Sequence, residues 1–144
     1  MLRISETDYR AMRAHGEESY PRECCGALLG RKDGGVNMVE AIVRAENVRG
    51  DSARTRYEIA PSELIAIQRE ARGRGLEIVG FYHSHPDHPA RWSETDLAEA
   101  HWISCSYVIT AVAAGVARQT SSFRLAGTAE DDKQLVDEPI EIAA

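Results

Sequence analysis

The sequence predicts a single α/β domain, a mixed β-sheet flanked by helices. Three observations carry that expectation. Segments with helical apolar spacing alternate with short apolar runs of strand length. Most turns between the runs have hairpin character, which favours a mixed sheet over an all-parallel one. The length, 144 residues, suits one domain with its own core.

The elements follow in order. Ser5 and Asp8 have the spacing of a helix N-cap, and Tyr9, Ala11 and Met12 supply apolar positions behind it. Pro21 ends this helix near Tyr20, because proline disfavours helix in the residue before it. His15 and His101 read as helix-surface residues. Cys25 to Gly30 is a short apolar run, a buried strand. Asp33-Gly34-Gly35 turns it into a partner strand over Val36 to Val43. Residues 46–56 are polar and read as a loop, with Tyr57-Glu58-Ile59 as a short strand. Pro61 opens a second helix, which Gly73 and Gly75 stop.

Ile78 to Tyr82 is the next buried strand, and it runs into His83-Ser84-His85. A loop with Pro86 and Pro89 leads to Ser93, which starts a third helix reaching about Trp102. Tyr107 to Val112 is a strand, paired with residues 116–126 through Ala114-Gly115. The tail over 133–143 adds one more strand. One domain therefore spans 1–144, with a core over about 1–126 and a C-terminal strand or tail over 127–144.

Composition narrows the function. The 17 basic and 23 acidic residues leave a net charge of −6, which argues against a nucleic-acid partner. No apolar run approaches the ~18 residues of a membrane span, and Met1 to Ser5 lack the apolar stretch of a signal peptide. Three cysteines, two of them adjacent, do not make a disulfide framework. The expected setting is the cytoplasm.

The chemistry concentrates between residues 83 and 96. On an extended strand, residues i and i+2 face the same side, so His83 and His85 can converge on one ion. Asp96 lies eleven residues after His85, within reach on the first turn of the third helix. Two imidazoles and a carboxylate form a zinc shell with one position open, the arrangement of a catalytic zinc. Such an ion acidifies water enough to supply hydroxide near neutrality, given a base to take the proton. Glu23 is the candidate base, although nothing in the spacing alone brings it to the metal. Plainer readings exist for each part. Ser93-Glu94-Thr95-Asp96 is also a capping box, an isolated His-x-His is commonly core or surface, and Cys24 and Cys25 behave as small buried hydrophobes. His88 is an exposed loop residue or a substrate contact.

His83-Ser84-His85-Pro86, with seven residues between His85 and Ser93, and then Ser93-x-x-Asp96, resembles the JAMM (MPN+) motif of zinc metallopeptidases. Pro21 to Gly30, with Glu23 ahead of Cys25-Gly26, resembles the second signature of that family. The resemblance implies the layered JAMM/MPN fold, which is similar to that of cytidine deaminases. It implies one zinc ion held by His83, His85 and Asp96, with Glu23 as general base and Ser93 as donor to the oxyanion. Ser84, at the strand end, and Trp92, where many members carry proline before the motif serine, are candidate substrate-binding residues. So are Arg54 and Arg56, in a basic cluster with Arg49 suited to an acidic partner or a C-terminal carboxylate.

Members of this family cleave amide bonds after the C-terminal tails of ubiquitin-like proteins. Short members resemble bacterial enzymes that process ubiquitin-like sulfur carrier proteins, so the expected partner is the Gly-Gly tail of such a carrier. A general deubiquitinase-like isopeptidase and a non-catalytic MPN binding module are the alternatives. A zinc deaminase would want a Pro-Cys-x-x-Cys pair, which this chain lacks.

Overall fold

In the computed structural model, which describes residues 1–53 and 55–144, eight strands form one mixed sheet. The chain order is β1 (Leu2–Ser5), α1 (Glu6–Ser19), β2 (Cys25–Asp33), β3 (Val36–Ala45), a single 3-10 turn (Gly50–Ser52), α2 (Pro61–Gly73), β4 (Glu77–Pro86), α3 (Glu94–Glu99), β5 (Ser106–Ala113), β6 (Val116–Ala126), β7 (Gln134–Glu138) and β8 (Ile140–Ala143). Across the sheet the order is β7-β6-β5-β4-β2-β3-β1-β8. The two hairpins, β2–β3 and β5–β6, are antiparallel, whereas β4 and β5 run parallel through the crossover that carries α3.

Pro139 alone separates β7 from β8, yet the two strands stand at opposite edges of the sheet. One residue cannot span eight flat strands spaced about 4.8 Å apart. The sheet must therefore curl until its edges nearly meet. An ion pair crosses the seam: the amino terminus, ahead of β1, pairs with Glu138 of β7 at 3.0 Å, and Ser122 of β6 donates to the same carboxylate at 2.8 Å.

Curling gives the sheet an inner and an outer face, and strand alternation sorts side chains between them. Inside, α1 packs on β1, β3, β4, β5, β6 and β8. Met12 meets Leu2, Ile4, Leu28, Val79, Tyr82 and Val108 there. Outside, Ile67 and Ala71 of α2 cover Ala27, Leu29, Phe81 and Ile109. Gly16 lets α1 come close, because a Cβ on it would meet Val112 at 3.1 Å and Ser84 at 3.3 Å.

Several expectations need correction. The first strand, β1, precedes the helix cap at Ser5, and the tail is two strands rather than one. Tyr57 to Ile59 is irregular, not a strand. The third helix stops at Glu99, short of Trp102, because Ala100 turns into the core and Lys133 binds the carbonyls of Ala98 and Ala100 at 3.1 and 2.8 Å. His15 is buried against the inner face and meets the Tyr82 hydroxyl at 2.8 Å. His101 is exposed and pairs with Glu130 at 2.7 Å, but from a loop. Among the described residues, no helix is long and apolar enough to cross a membrane.

Burial, helped by the charge of Arg44, lowers the His15 pKa from 6.5 to about 4. The unfolded chain takes up this proton as pH falls through about 6.5, while the folded protein resists until about 4. Stability from this residue is therefore intact above pH 6.5, is lost between 6.5 and 4, and falls no further below that. The loss is on the order of 3 kcal/mol. His15→Gln, which keeps a neutral polar partner for Tyr82, should flatten that segment of the stability–pH curve in urea unfolding. An unchanged slope between pH 6.5 and 4 would contradict it.

Candidate metal centre

The imidazoles stand where β4 leaves the sheet. His83 and His85 lie on its outer face, with Phe81 two residues below in the core and Ser84 between them facing α1. Their Nε2 atoms are 3.2 Å apart. Asp96 spans both, with Oδ1 at 3.2 Å from His83 Nε2 and Oδ2 at 3.1 Å from His85 Nε2. One donor atom from each of the three residues falls within 4.8 Å of the others.

Local structure holds each group. Ser93 caps α3: its hydroxyl accepts from Asp96 N at 3.0 Å, and Asp96 Oδ2 accepts from Ser93 N at 2.9 Å. This capping box points the carboxylate back at β4. His85 Nδ1 lies 2.9 Å from the Pro89 carbonyl, so the loop sets the orientation of that ring. Tyr57 stacks on His83, with ring centroids 4.5 Å apart. Asp87 anchors the start of the loop. It adopts φ 57°, donates its N–H to Val112 O at 2.7 Å, and accepts from Tyr20 and Ala114.

Glu23 arrives through the β2–β4 ladder. Cys24 N donates to Ser84 Oγ at 2.8 Å, and Ser84 N donates to Cys24 O at 3.3 Å. Ser84 is wholly buried and spends its hydroxyl on this link. It thereby ties β4 to the start of β2. Glu23 itself is buried, and among the described residues its Oε1 finds no partner. It lines a cavity of about 460 Å³ with His85, Ser93, Thr55, Arg56, His88, Pro89, Arg91 and Thr95.

The electrostatics separate the carboxyls. Burial raises Glu23 to about 8, against the pull of the His85 charge. Burial also opposes ionisation of Asp96, but its bonds to His83 and His85 hold it well below the usual carboxylate range. Burial lowers His83. In His85, burial is outweighed by the Asp96 and Pro89 bonds and the nearby carboxylate charges, and its pKa rises. Burial also pushes the Cys24 thiol up to about 11 and the Cys25 thiol to about 12, so both stay protonated near neutrality.

The donor set fits a metal ion. Two nitrogens about 2.0–2.1 Å from a tetrahedral ion stand roughly 3.3 Å apart, close to the 3.2 Å found between His83 and His85. The group offers three ligands and leaves a side open toward the cavity.

Residues 5–126 match the family model for prokaryotic homologs of the JAB domain. The chain belongs to this family. A desampylase from Haloferax volcanii is 37% identical over 89 residues, 62% of this chain and 62% of the relative. A probable TtuB-protein conjugate cleaving protease from Thermus thermophilus is 34% identical over 90 residues, 62% of this chain and 57% of the relative. The match thus spans about three-fifths of the length of each of these curated relatives. A solution structure of a protein from Salinibacter ruber is 39% identical, with a TM-score of 0.75, covering 98% of this chain and 91% of the other. A JAB1/MPN domain protein from Archaeoglobus fulgidus shares the fold at 16% identity, with a TM-score of 0.59, over 100% of this chain and 98% of the other.

The remaining candidate contacts of this JAB-family site divide. Arg56 lines the cavity beside Glu23. Trp92 lines instead a separate groove of about 990 Å³ with Tyr9, Phe123 and Ile140. Arg54 lies outside the described residues. Arg49 is not free, since it pairs with Glu58 at 3.5 Å and Glu99 at 2.9 Å. Tyr57, Asp87 and Arg91 join the site without having been singled out in the sequence. Arg91 was the most visible, as the one arginine inside the motif loop. The parts played by Tyr57 and the Pro89 carbonyl depend on contacts that no motif encodes.

Zinc titration by calorimetry should give one equivalent per chain. Tyr57→Ala should weaken it about tenfold, as loss of a supporting contact does. Asp96→Ala should weaken it by more than the roughly 100-fold upper range of such losses. Equal affinity in the wild type and Asp96→Ala would rule out this centre.

Proposed function

We propose that the chain is a zinc-dependent metallopeptidase that hydrolyses the amide bond after the C-terminal Gly-Gly tail of a ubiquitin-like sulfur carrier protein. The observation that carries this reading is the convergence of His83, His85 and Asp96 beside a cavity lined by both Glu23 and Ser93. The names of the relatives, a desampylase and a protease of protein conjugates, support the reaction class.

His83, His85 and Asp96 would hold the zinc, which supplies Lewis-acid activation of water and of the scissile carbonyl. The chain's residues do the rest. Glu23 in its ionised form, which the charge of a bound cation favours over the protonated form that burial alone favours, takes the proton of the attacking water and returns it to the departing amine. The Ser93 hydroxyl accepts from Asp96 N, so its own proton is free to donate to the oxyanion. Two glycines at the end of the tail let the substrate backbone approach a site recessed at the strand end.

The test uses a carrier whose Gly-Gly end is extended by further residues. Cleavage should stop with chelator and return with added zinc. Glu23→Gln should cost about 10²–10⁴ in kcat, and Ser93→Ala about 10²-fold. Cleavage that survives chelation, or wild-type rates from Glu23→Gln, would defeat the mechanism.

A further inference from the structure

We propose that Asn47 is a positioning residue for the reaction: its side-chain amide clamps the backbone of Glu23, so that the base is held while its carboxyl stays free to carry a proton. This rests on the peptidase reading above and adds to it a residue outside both signatures. Asn47 stands in the polar segment between β3 and α2, and it is buried. A buried amide needs partners for its donors and its acceptor. Asn47 fills every position. Its Nδ2 donates to the carbonyl of Glu23 and to that of Arg56, each at 3.0 Å. Its Oδ1 accepts from Arg49 N at 3.1 Å and from Glu58 N at 3.2 Å.

The two halves of the amide have different partners. The acceptor half closes a local turn, which is what asparagine ordinarily does in a loop. The donor half reaches a separate segment. Glu23 precedes the β2 ladders, which start at Cys25, so no strand partner holds its peptide groups. The segment that Asn47 opens holds both of them. Ala53 O accepts from Glu23 N at 2.6 Å, and Asn47 Nδ2 donates to Glu23 O. Arg22 adds a bond from its guanidinium to Asn47 O at 3.2 Å. The Glu23 side chain is the reverse case, since among the described residues its Oε1 has no partner. A group that takes a proton and returns it needs that combination, a fixed main chain and an uncommitted carboxyl. A misplacement of about 1 Å can lower a rate by about 10²-fold.

The second donor bond ties the base to another wall of the site. Arg56, whose carbonyl accepts it, lines the cavity, and Tyr57, next along, stacks on His83. One buried side chain thus joins the base, the cavity wall and the ring that supports a ligand imidazole.

The experiment compares Asn47→Ala and Asn47→Asp with the wild type, all zinc-loaded, on the tail-extended carrier. Asn47→Ala removes both halves of the amide. Asn47→Asp keeps the acceptor half but sets a carboxylate against the two carbonyls. One zinc equivalent by calorimetry shows that a variant is folded, and Asn47→Asp carries the comparison alone where Asn47→Ala lacks it. Both variants should lose about 10–100-fold in kcat. Amide hydrogen exchange at Glu23 should speed by about tenfold or more in both, while Arg49 stays protected in Asn47→Asp. Adding Glu23→Gln to either variant should lower kcat no further than Glu23→Gln alone, because the asparagine acts through the base. Wild-type kcat in Asn47→Asp would confine Asn47 to its own turn and overturn the proposal. So would unchanged exchange at Glu23, losses that multiply in the double variant, or loss of the zinc equivalent in both single variants, which would make the residue structural. A wild type that cleaves no carrier would overturn the peptidase reading and this role with it, even where exchange at Glu23 speeds as expected.

Discussion

Cys25 stands opposite His83 in the antiparallel ladder between β2 and β4, and the candidate site depends on that register. It brings Cys24 beside Ser84, sixty residues away in sequence, and two hydrogen bonds lock them. Glu23, one residue earlier, is thereby delivered beside His85. A slip of one residue would turn both imidazoles toward α1 and carry Glu23 off the site. Close packing on the inner face guards against that slip. The Tyr82 ring lies over Gly26, where a Cβ would fall 2.3 Å from it, and Gly16 lets α1 rest on Ser84.

The same curl that buries α1 makes this register useful. It turns the even-numbered side of β4 into core, with Tyr82 and Ser84, and leaves the odd-numbered side to carry His83 and His85. The strand end is thus stabilised on one face and functional on the other. The carboxyls are divided by the same means. Glu23 sits in a recess that favours its protonated form, and Asp96 is held ionised between two imidazoles. Groups pushed apart in this way suit different tasks, one moving a proton and one holding a cation.

Much of this was legible in the sequence because the signals are local. The His-x-His pair needs only strand alternation, and Asp96 needs only a capping box, which the structure contains. Pro61 starts α2 and Gly73 ends it, as their backbone preferences dictate. What stayed hidden depends on distant partners. The four-residue β1 and β8 are too short to show a period and exist because they pair with each other in a parallel ladder at one edge of the sheet. His15 reads as a surface residue on a helix seen alone. It is buried because α1 is covered by the sheet from several sides. Glu23 came to the site only through a family resemblance. The physical reason for its place is the Cys24–Ser84 link, a contact between segments that share no motif.

The central claim is that β4 and the α3 cap assemble an all nitrogen-and-oxygen metal shell, although two cysteines stand on the neighbouring strand. X-ray absorption at the zinc edge on the zinc-loaded protein reads that shell directly. The account predicts two imidazole nitrogens with carboxylate and solvent oxygens, at about 2.0–2.2 Å. A sulfur scatterer at about 2.3 Å, the signature of a cysteine ligand, would contradict it.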